Sequence, residues 1–310
     1  MKLWIWPYLY VQGTQGTGNM FLIHFCPYMD CILLQSIERN SFYRRPFRKL
    51  EELHLNRNEI TNIQPGTFDF LTALVKLDLS ENRLTHISLY YFRNLTSLDE
   101  LHLEFNKIRE IDEGSMSNLR NLRVVNFTHN YLNDLTNLSF SGCRYALSLC
   151  FSFNNLTEVK GEFFSQLPSG VGGHKINFQG NAINKLRLFS KSLDPVSLNM
   201  LDVSHNKLET IENTIWRSAA HIDRLDLAHN QIKKIQSMDF VGFVTKELIL
   251  HHNLLQDVVF LLKMETKPQF VDLCYNKLII ITGQEMRFLT SITLATIPGY
   301  AYMQLPQISC

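Results

Sequence analysis

The chain has 310 residues, of which 45% are hydrophobic and 19% are charged, and its formal net charge at pH 7 is +1. This apolar content is sufficient for one elongated core, and the near-neutral charge without a strongly basic run argues against nucleic acid as the main partner. No apolar run reaches the roughly 18 residues that a membrane-spanning helix requires, so the sequence predicts no direct membrane span.

The first 49 residues are the least regular part of the chain. Lys2 is followed by an apolar run and then by small residues, and this order predicts a signal peptide over residues 1–18. The alternatives are an ordinary buried segment or a wrongly assigned start, because aromatic residues and Pro7 are unusual in a signal core. Residues 19–49 are predicted to form an N-terminal cap or a degenerate repeat.

A repeated unit begins after this segment. Residues 74–98 follow the pattern LxxLxLxxNxLxxIxxxxFxxLxxL, and the segments on either side have the same pattern. The asparagine recurs every 23 to 27 residues, and such a period is typical of leucine-rich-repeat solenoids. We predict about ten repeats over residues 50–290, followed by a degenerate last repeat over residues 291–310 without a cysteine-rich C-terminal cap. The asparagines are Asn58, Asn82, Asn106, Asn130, Asn154, Asn181, Asn206, Asn230, Asn253 and Asn276.

Each position of the unit has a physical role. The LxLxx segment is a short strand whose two leucines point inward, and successive strands are expected to stack in parallel. The predicted fold class is α/β: a curved horseshoe with a parallel β-sheet on the concave face and an irregular or 3₁₀ convex side. Each buried asparagine is expected to hydrogen-bond backbone groups of its own turn and of the next repeat, forming a ladder.

The concave sheet face is the expected partner-binding surface, because it presents many outward side chains on a rigid frame. Exposed aromatic residues on such a face are suitable anchors for a protein partner. The candidate contact residues lie just before the asparagines or at outward strand positions: Phe105, His129, Phe153, Asp202, His205, Asp226, His229, His251, His252 and Tyr275.

Histidines recur on this face. His205, His229 and His252 fall on three successive repeats, and His251 is adjacent. Imidazoles about 5 Å apart on neighbouring strands can bind Zn²⁺ or act as a pH switch. The simpler interpretation is that histidine before the asparagine is a common form of the repeat and is solvated. We adopt it, and predict neither a metal site nor a cofactor.

The sequence also contains candidate modification sites. Four Asn-x-Ser/Thr sequons occur, at Asn94, Asn126, Asn137 and Asn155, and a glycan on Asn126 would cover part of the concave face. Two candidate disulfides are Cys26 with Cys31, which would close a small loop unless both are free thiols, and Cys143 with Cys150.

No G-x-S-x-G or H-E-x-x-H motif is present, so the chain is not predicted to be an enzyme. The repeat, with segments such as LDVSHNKLETI and LDLAHNQIKKI, resembles the extracellular animal type found in Toll-like receptor ectodomains, slit-type proteins and arthropod adhesion proteins of the chaoptin kind. The resemblance covers about residues 50–300.

The resemblance implies a secreted or cell-surface glycoprotein that acts in cell adhesion or receptor-type recognition. Its partner would be a protein ligand or a cell-surface receptor, and homophilic association is a further option. The alternatives are a soluble innate-immune recognition protein and an intracellular leucine-rich-repeat scaffold or inhibitor.

Overall fold

The computed structural model describes residues 34–39, 41–43, 45–140, 142–145, 147–168, 173–187, 197–211, 221–236, 240, 243–264, 266–279, 283–284, 287 and 294–296. The predicted signal peptide, the candidate Cys26–Cys31 disulfide and most of the predicted last repeat lie outside these residues. The chain divides into two compact units. Unit 1 comprises Met1–Leu147 and Gln166–Pro168, and unit 2 comprises Ser148–Ser165 and Ser169–Cys310.

Unit 1 consists of short parallel strands joined by return segments. Its described strands are β1 (Ser36–Ile37), β2 (Glu52–His54), β3 (Asn62–Ile63), β4 (Lys76–Asp78), β5 (His86–Ile87), β6 (Glu100–His102), β7 (Glu110–Ile111) and β8 (Val124–Asn126). Strands β2, β4, β6 and β8 pair in that order, with Leu53, Leu77 and Leu101 in register. On the return path β1 pairs with β3 and β5 with β7, and a 3₁₀ helix spans Arg45–Lys49.

Unit 2 repeats the same design. Its described strands are β9 (Ser148–Cys150), β10 (Glu158–Val159), β11 (His174–Asn177), β12 (Lys185–Leu186), β13 (Ser197–Asp202), β14 (His221–Asp226), β15 (Glu247–Ile249), β16 (Phe270–Asp272) and β17 (Leu294–Thr296). All except β10 and β12 pair in parallel in chain order, while β10 pairs with β12. The return path includes helix α1 (Gly161–Ser165) and a 3₁₀ helix at Val259–Lys263.

Each unit is therefore a parallel β-solenoid with short helices on its return path, which confirms the predicted fold class. The repeat pattern explains it, because Leu77 in β4 is buried, Asp78 at its end is half-buried, and Leu79 directly after the strand is buried again. The cores of the two units also include fully buried phenylalanines: Phe42, Phe68, Phe92, Phe127, Phe140, Phe151, Phe178, Phe240, Phe243 and Phe260. Within the described residues, every helix is too short or too polar to cross a bilayer.

The asparagine ladder is present. Its hydrogen bonds between repeats join each asparagine to the preceding repeat, whereas we expected bonds to the following repeat. The Asn130 Nδ2 group donates to Phe127 O in its own turn at 3.0 Å and to Leu103 O in the preceding repeat at 2.9 Å. Its Oδ1 accepts the Ile108 N–H at 2.9 Å. The backbone bonds run the other way, since the Leu103 N–H donates to Asn126 O at 2.9 Å. Each repeat is thus tied to its two neighbours by different groups.

Equivalent bonds recur along the ladder. Side chains that bond both their own turn and the preceding repeat are those of Asn82, Asn106, Asn130, Asn181, Asn206, Asn230, Asn253 and Asn276. Asn58 and Asn154 make the same bonds to carbonyls of their own turns. Because these groups are otherwise cut off from water, the ladder satisfies backbone atoms that burial would leave unpaired.

The predicted disulfide between Cys143 and Cys150 is not formed, because the two thiols have different surroundings. The Cys143 thiol is buried and donates to Leu119 O at 3.3 Å, and burial raises its pKa to about 12. The Cys150 Sγ instead lies 3.3 Å from Ser152 Oγ, on the outward side of β9. Proximity in sequence did not reveal that Cys143 belongs to the core.

Gly142 lies where two neighbouring return segments touch. A Cβ atom at this position would overlap the backbone carbonyl of Ser117. We expect Gly142→Ala to lower the free energy of unfolding by about 1–3 kcal/mol, because a packed backbone must move to admit the methyl group. Chemical denaturation measures the loss, and Gly283→Ala is the control, since a methyl group there meets no atom within 4 Å. Equal stability of the two variants would contradict the close contact.

Candidate functional site

The residue directly before each ladder asparagine has a left-handed backbone. We call these ten residues the pre-asparagine column: Arg57, Glu81, Phe105, His129, Phe153, Gly180, His205, His229, His252 and Tyr275. Their φ angles lie between 51° and 69°, a region that costs a residue with a side chain about 1–2 kcal/mol. Because this conformation recurs at every ladder asparagine, it belongs to the turn after each strand and is not local strain at one site.

In unit 1, side chains of the column pair between neighbouring repeats. The Arg57 Nε donates to Glu81 Oε1 at 3.0 Å. The Phe105 ring stacks on His129 with centroids 4.6 Å apart and planes 14° apart. Two neighbouring pairs along one column therefore differ in character, the first being ionic and the second aromatic.

In unit 2, four rings of the column form one continuous stack. The centroids are 4.1 Å apart from His205 to His229, 4.2 Å from His229 to His252, and 4.2 Å from His252 to Tyr275. We call these four residues the histidine stack. His251 lies beside it, with its ring nearly perpendicular to those of His229 and His252 at 5.1 Å from each. The stack is thus a row of rings about one strand spacing apart, flanked by one further imidazole.

The ring of Phe153 lies over the backbone of Gly180 in the next repeat. A Cβ atom on Gly180 would come 2.6 Å from Cδ1 of that ring. Gly180 interrupts the column of side chains, and the space it leaves is occupied by Phe153. The sequence placed Gly180 in the column without showing why a glycine is there.

Asp202 and Asp226 were predicted to contact a partner, and in the structure the side chain of each accepts a hydrogen bond from a backbone N–H. The Asp202 Oδ1 accepts the Ser204 N–H at 2.9 Å, and the residue is only 7% exposed. The Asp226 Oδ1 accepts the Ala228 N–H at 3.1 Å, and burial raises the pKa of this carboxyl group. Asp and Asn side chains commonly bond the N–H two residues on, so one carboxylate oxygen of each residue braces the turn, and the contact of these residues with a partner stays a prediction.

The remaining candidates stay on the accessible side of the sheet. Phe105, Phe153 and Tyr275 are 53%, 45% and 60% exposed. His129, His205 and His252 are exposed, and His229 and His251 are half-buried. Among the sequon asparagines, Asn94, Asn137 and Asn155 are exposed and Asn126 is half-buried; their glycosylation stays a prediction.

The surroundings of three histidines shift their pKa values, and the directions differ. A hydrogen bond with Asp78 raises the pKa of His54, and one with Glu104 raises the pKa of His102. Burial, followed by the neighbouring imidazoles of the histidine stack and His251, lowers the pKa of His229. Acidic partners thus favour the charged form of His54 and His102, while burial and the neighbouring rings favour the neutral form of His229.

We expect NMR titration to show His54 and His102 losing their protons above the ordinary pKa of 6.5 and His229 below it. His54 and His102 stabilise the fold below pH 6.5, and this stability is lost as pH rises through their raised pKa values. His229 acts in the opposite sense, because its contribution is lost as pH falls through its lowered pKa. A His229 resonance that titrated above that of His102 would contradict the stacked arrangement.

Comparison with known sequences identifies the repeat. The leucine-rich repeat family model matches residues 48–108, 96–149 and 196–257, which together make up just over half of the chain. No curated protein sequence matches the chain significantly.

Solved structures match the fold. The leucine-rich repeat domain of APL1B has 19% sequence identity and a TM-score of 0.65, covering 86% of this chain and 72% of that one. The LRIM1/APL1C complex has 18% identity and a TM-score of 0.58, covering 85% of this chain and 50% of that one. The Leptospira interrogans leucine-rich repeat protein LIC12759 has 18% identity and a TM-score of 0.55, with 85% and 72% covered. At these identities the likeness is one of fold alone.

Proposed function

Because the chain belongs to the leucine-rich repeat family, we propose that it is a non-catalytic extracellular module that binds a protein partner through the pre-asparagine column. Proteins of this architecture generally present a rigid surface for protein contacts. The observation that carries the proposal is the set of exposed rings in that column. Phe105, Phe153 and Tyr275 are each close to half exposed or more, although nearly all the other phenylalanines that the structure describes are buried.

The rings are held in place before a partner arrives. Phe105 stacks on His129, Tyr275 stacks on His252, and the ring of Phe153 lies over Gly180. An ordered aromatic side chain loses little freedom on binding, so more of its contact energy becomes affinity. Aromatic residues of this kind dominate many protein interfaces, where truncation of one anchor commonly costs about 2 kcal/mol or more.

A polar row lies beside the column in unit 1. His54 and His102 pair with acidic neighbours, and Lys76 forms an ion pair with Glu100 at 2.9 Å. Exposed ion pairs of this kind contribute only about 0–1 kcal/mol each to stability. Protein interfaces combine apolar and polar contacts, so polar side chains beside the exposed ring of Phe105 support a protein partner over an apolar small molecule.

The proposed setting is the cell surface or the extracellular space, in adhesion or receptor-type recognition. It is supported by the likeness of the repeat to the extracellular animal type and by the exposure of Asn94, Asn137 and Asn155. One structural neighbour is the LRIM1/APL1C complex, so a second leucine-rich repeat chain, including a second copy of this one, is a partner class worth testing.

Export is the first test of this proposal. The full chain is expressed in insect cells beside a variant carrying Asn94→Gln, Asn137→Gln and Asn155→Gln. We expect the parent in the medium or on the surface, with a mobility that a glycosidase changes, and a smaller change for the variant. A cytosolic product that the glycosidase does not shift would refute the extracellular setting and direct the search to intracellular partners.

Binding is the second test. The exported chain is screened against a panel of cell-surface ectodomains that includes the chain itself. A partner whose binding is lost on replacing the exposed rings with alanine supports the proposal. Binding that survives these changes but is lost with Tyr90→Ala or Tyr145→Ala would refute it, because these two tyrosines are exposed but lie outside the column.

A further inference from the structure

His251 is not explained by the repeat. It occupies the position two residues before the ladder asparagine, where other repeats bury a small side chain: Ser80, Ser152, Ser204, Ala228 or Cys274. Four other repeats have a half-buried residue at this position: Asn56, Glu104, Thr128 and Gln179. Histidine before the asparagine is a common form of the repeat, but a second imidazole here, giving His251–His252–Asn253, occurs once among the described repeats.

The extra imidazole is directed at its neighbours. The Nδ1 atoms of His251 and His252 are 2.9 Å apart. At this distance one ring donates an N–H to the lone pair of the other, and a metal ion that takes the place of this proton would bind both nitrogens. The ring of His251 stands at 89° to that of His229 and at 79° to that of His252, so its nitrogen edge faces the side of the stack.

We propose that His229, His251 and His252 form a binding site for a divalent transition-metal ion, with Zn²⁺ as the expected occupant. Each ring offers one nitrogen, and the three atoms lie within 4.8 Å of one another. Tetrahedral Zn²⁺ with bonds of about 2.0–2.1 Å requires nitrogens about 3.3 Å apart. The half-buried His251 and the exposed His252 can close this difference by side-chain rotation. Three protein ligands leave the fourth position for water or for a group from a partner.

The chemistry of the set favours this class of ion. Ligation requires neutral imidazole, which is the ordinary form of histidine at neutral pH and above. Two carboxylates on strands of the same sheet each use one oxygen for a turn, since Asp226 Oδ1 accepts the Ala228 N–H and Asp272 Oδ1 accepts the Cys274 N–H. Nitrogen donors alone suit Zn²⁺, Ni²⁺ and Cu²⁺, whereas Mg²⁺ and Ca²⁺ prefer oxygen.

Isothermal titration of the metal-free full chain with ZnCl₂ tests the site. We expect one Zn²⁺ per chain, no heat with MgCl₂, and a rise in melting temperature with Zn²⁺ because the ion binds the folded state. His251→Ser is the informative variant, since serine occupies the same position in three other repeats and the fold should tolerate it. We expect it to weaken Zn²⁺ binding at least tenfold and to abolish the thermal shift.

The matched control is His129→Gln, which removes an exposed stacked histidine of unit 1 and should leave Zn²⁺ affinity unchanged. Absence of Zn²⁺ binding by the parent chain would overturn the proposal. So would parent-like affinity in a folded His251→Ser variant, as judged by circular dichroism, or an equal loss in His129→Gln. The readout is metal binding by the isolated chain, so this result and the result of the partner screen are independent.

Discussion

Replacing Phe151 with alanine is expected to lower the free energy of unfolding by about 3–5 kcal/mol, the usual cost of removing a buried phenylalanine ring. Phe151 is fully buried, and its ring lies 5.5 Å from that of Phe178 at 17° and 5.7 Å from that of Phe163 at 83°. Alanine would leave a cavity between two repeats that the rigid backbone cannot fill. Urea unfolding followed by circular dichroism measures the loss.

Phe153 is the matched control, two residues further along the same segment. It is 45% exposed, so Phe153→Ala is expected to change the free energy of unfolding by less than about 1 kcal/mol. Phe153→Ala should also weaken partner binding directly. Phe151→Ala should affect partner binding only by destabilising the fold. Equal losses of stability in the two variants would mean that the inward and outward positions of this repeat are wrongly assigned.

Asn130→Ala is expected to lower the free energy of unfolding by about 3 kcal/mol. Each buried polar group left without a partner costs about 1–3 kcal/mol, and local rearrangement of the backbone reduces the sum. Asn130 is 3% exposed. Its side chain bonds Leu103 O, Phe127 O and the Ile108 N–H, which join two repeats. Alanine removes all these bonds and adds no group that could replace them.

Hydrogen exchange at Ile108 gives a local readout of the same change. Its amide should exchange faster in Asn130→Ala, because the Asn130 Oδ1 is its acceptor. Asn133→Ala is the control. Because this asparagine is exposed, its replacement should change the free energy of unfolding by no more than about 0.5 kcal/mol. An unchanged melting temperature together with unchanged protection of Ile108 would show that the ladder does not stabilise the solenoid.

The parallel solenoid was predictable because two signals repeat together. Alternating leucines place one face of each strand inward, and an asparagine at a constant offset marks the turn that follows. Neither signal specifies direction along the array, so the sequence did not show that Asn130 bonds the preceding repeat. The left-handed turn was also missed, because only Gly180 among the ten column residues is the residue type that usually marks it.

The candidate site was predictable in position but not in detail. Periodicity placed His205, His229 and His252 on one column, but ring orientation depends on torsion angles that periodicity does not report. The low exposure of Asp202 and Asp226 was not predictable for a similar reason. An outward strand position looks accessible in sequence, yet a short carboxylate there folds back onto the N–H two residues on. An acid two residues before Ser204 or Ala228 is the signal that would have identified these turns.

The most direct test of the account is the affinity of a confirmed partner for two variants, measured by biolayer interferometry. The first carries Phe105→Ala, Phe153→Ala and Tyr275→Ala in the column, and the second carries Tyr90→Ala and Tyr145→Ala outside it. Both should remain folded, because all five side chains are exposed. We expect the dissociation constant to rise at least about 30-fold for the column variant, as for the loss of one interface anchor, and to change less than about threefold for the other. The reverse pattern, or equal affinity of both variants, would contradict recognition through the column.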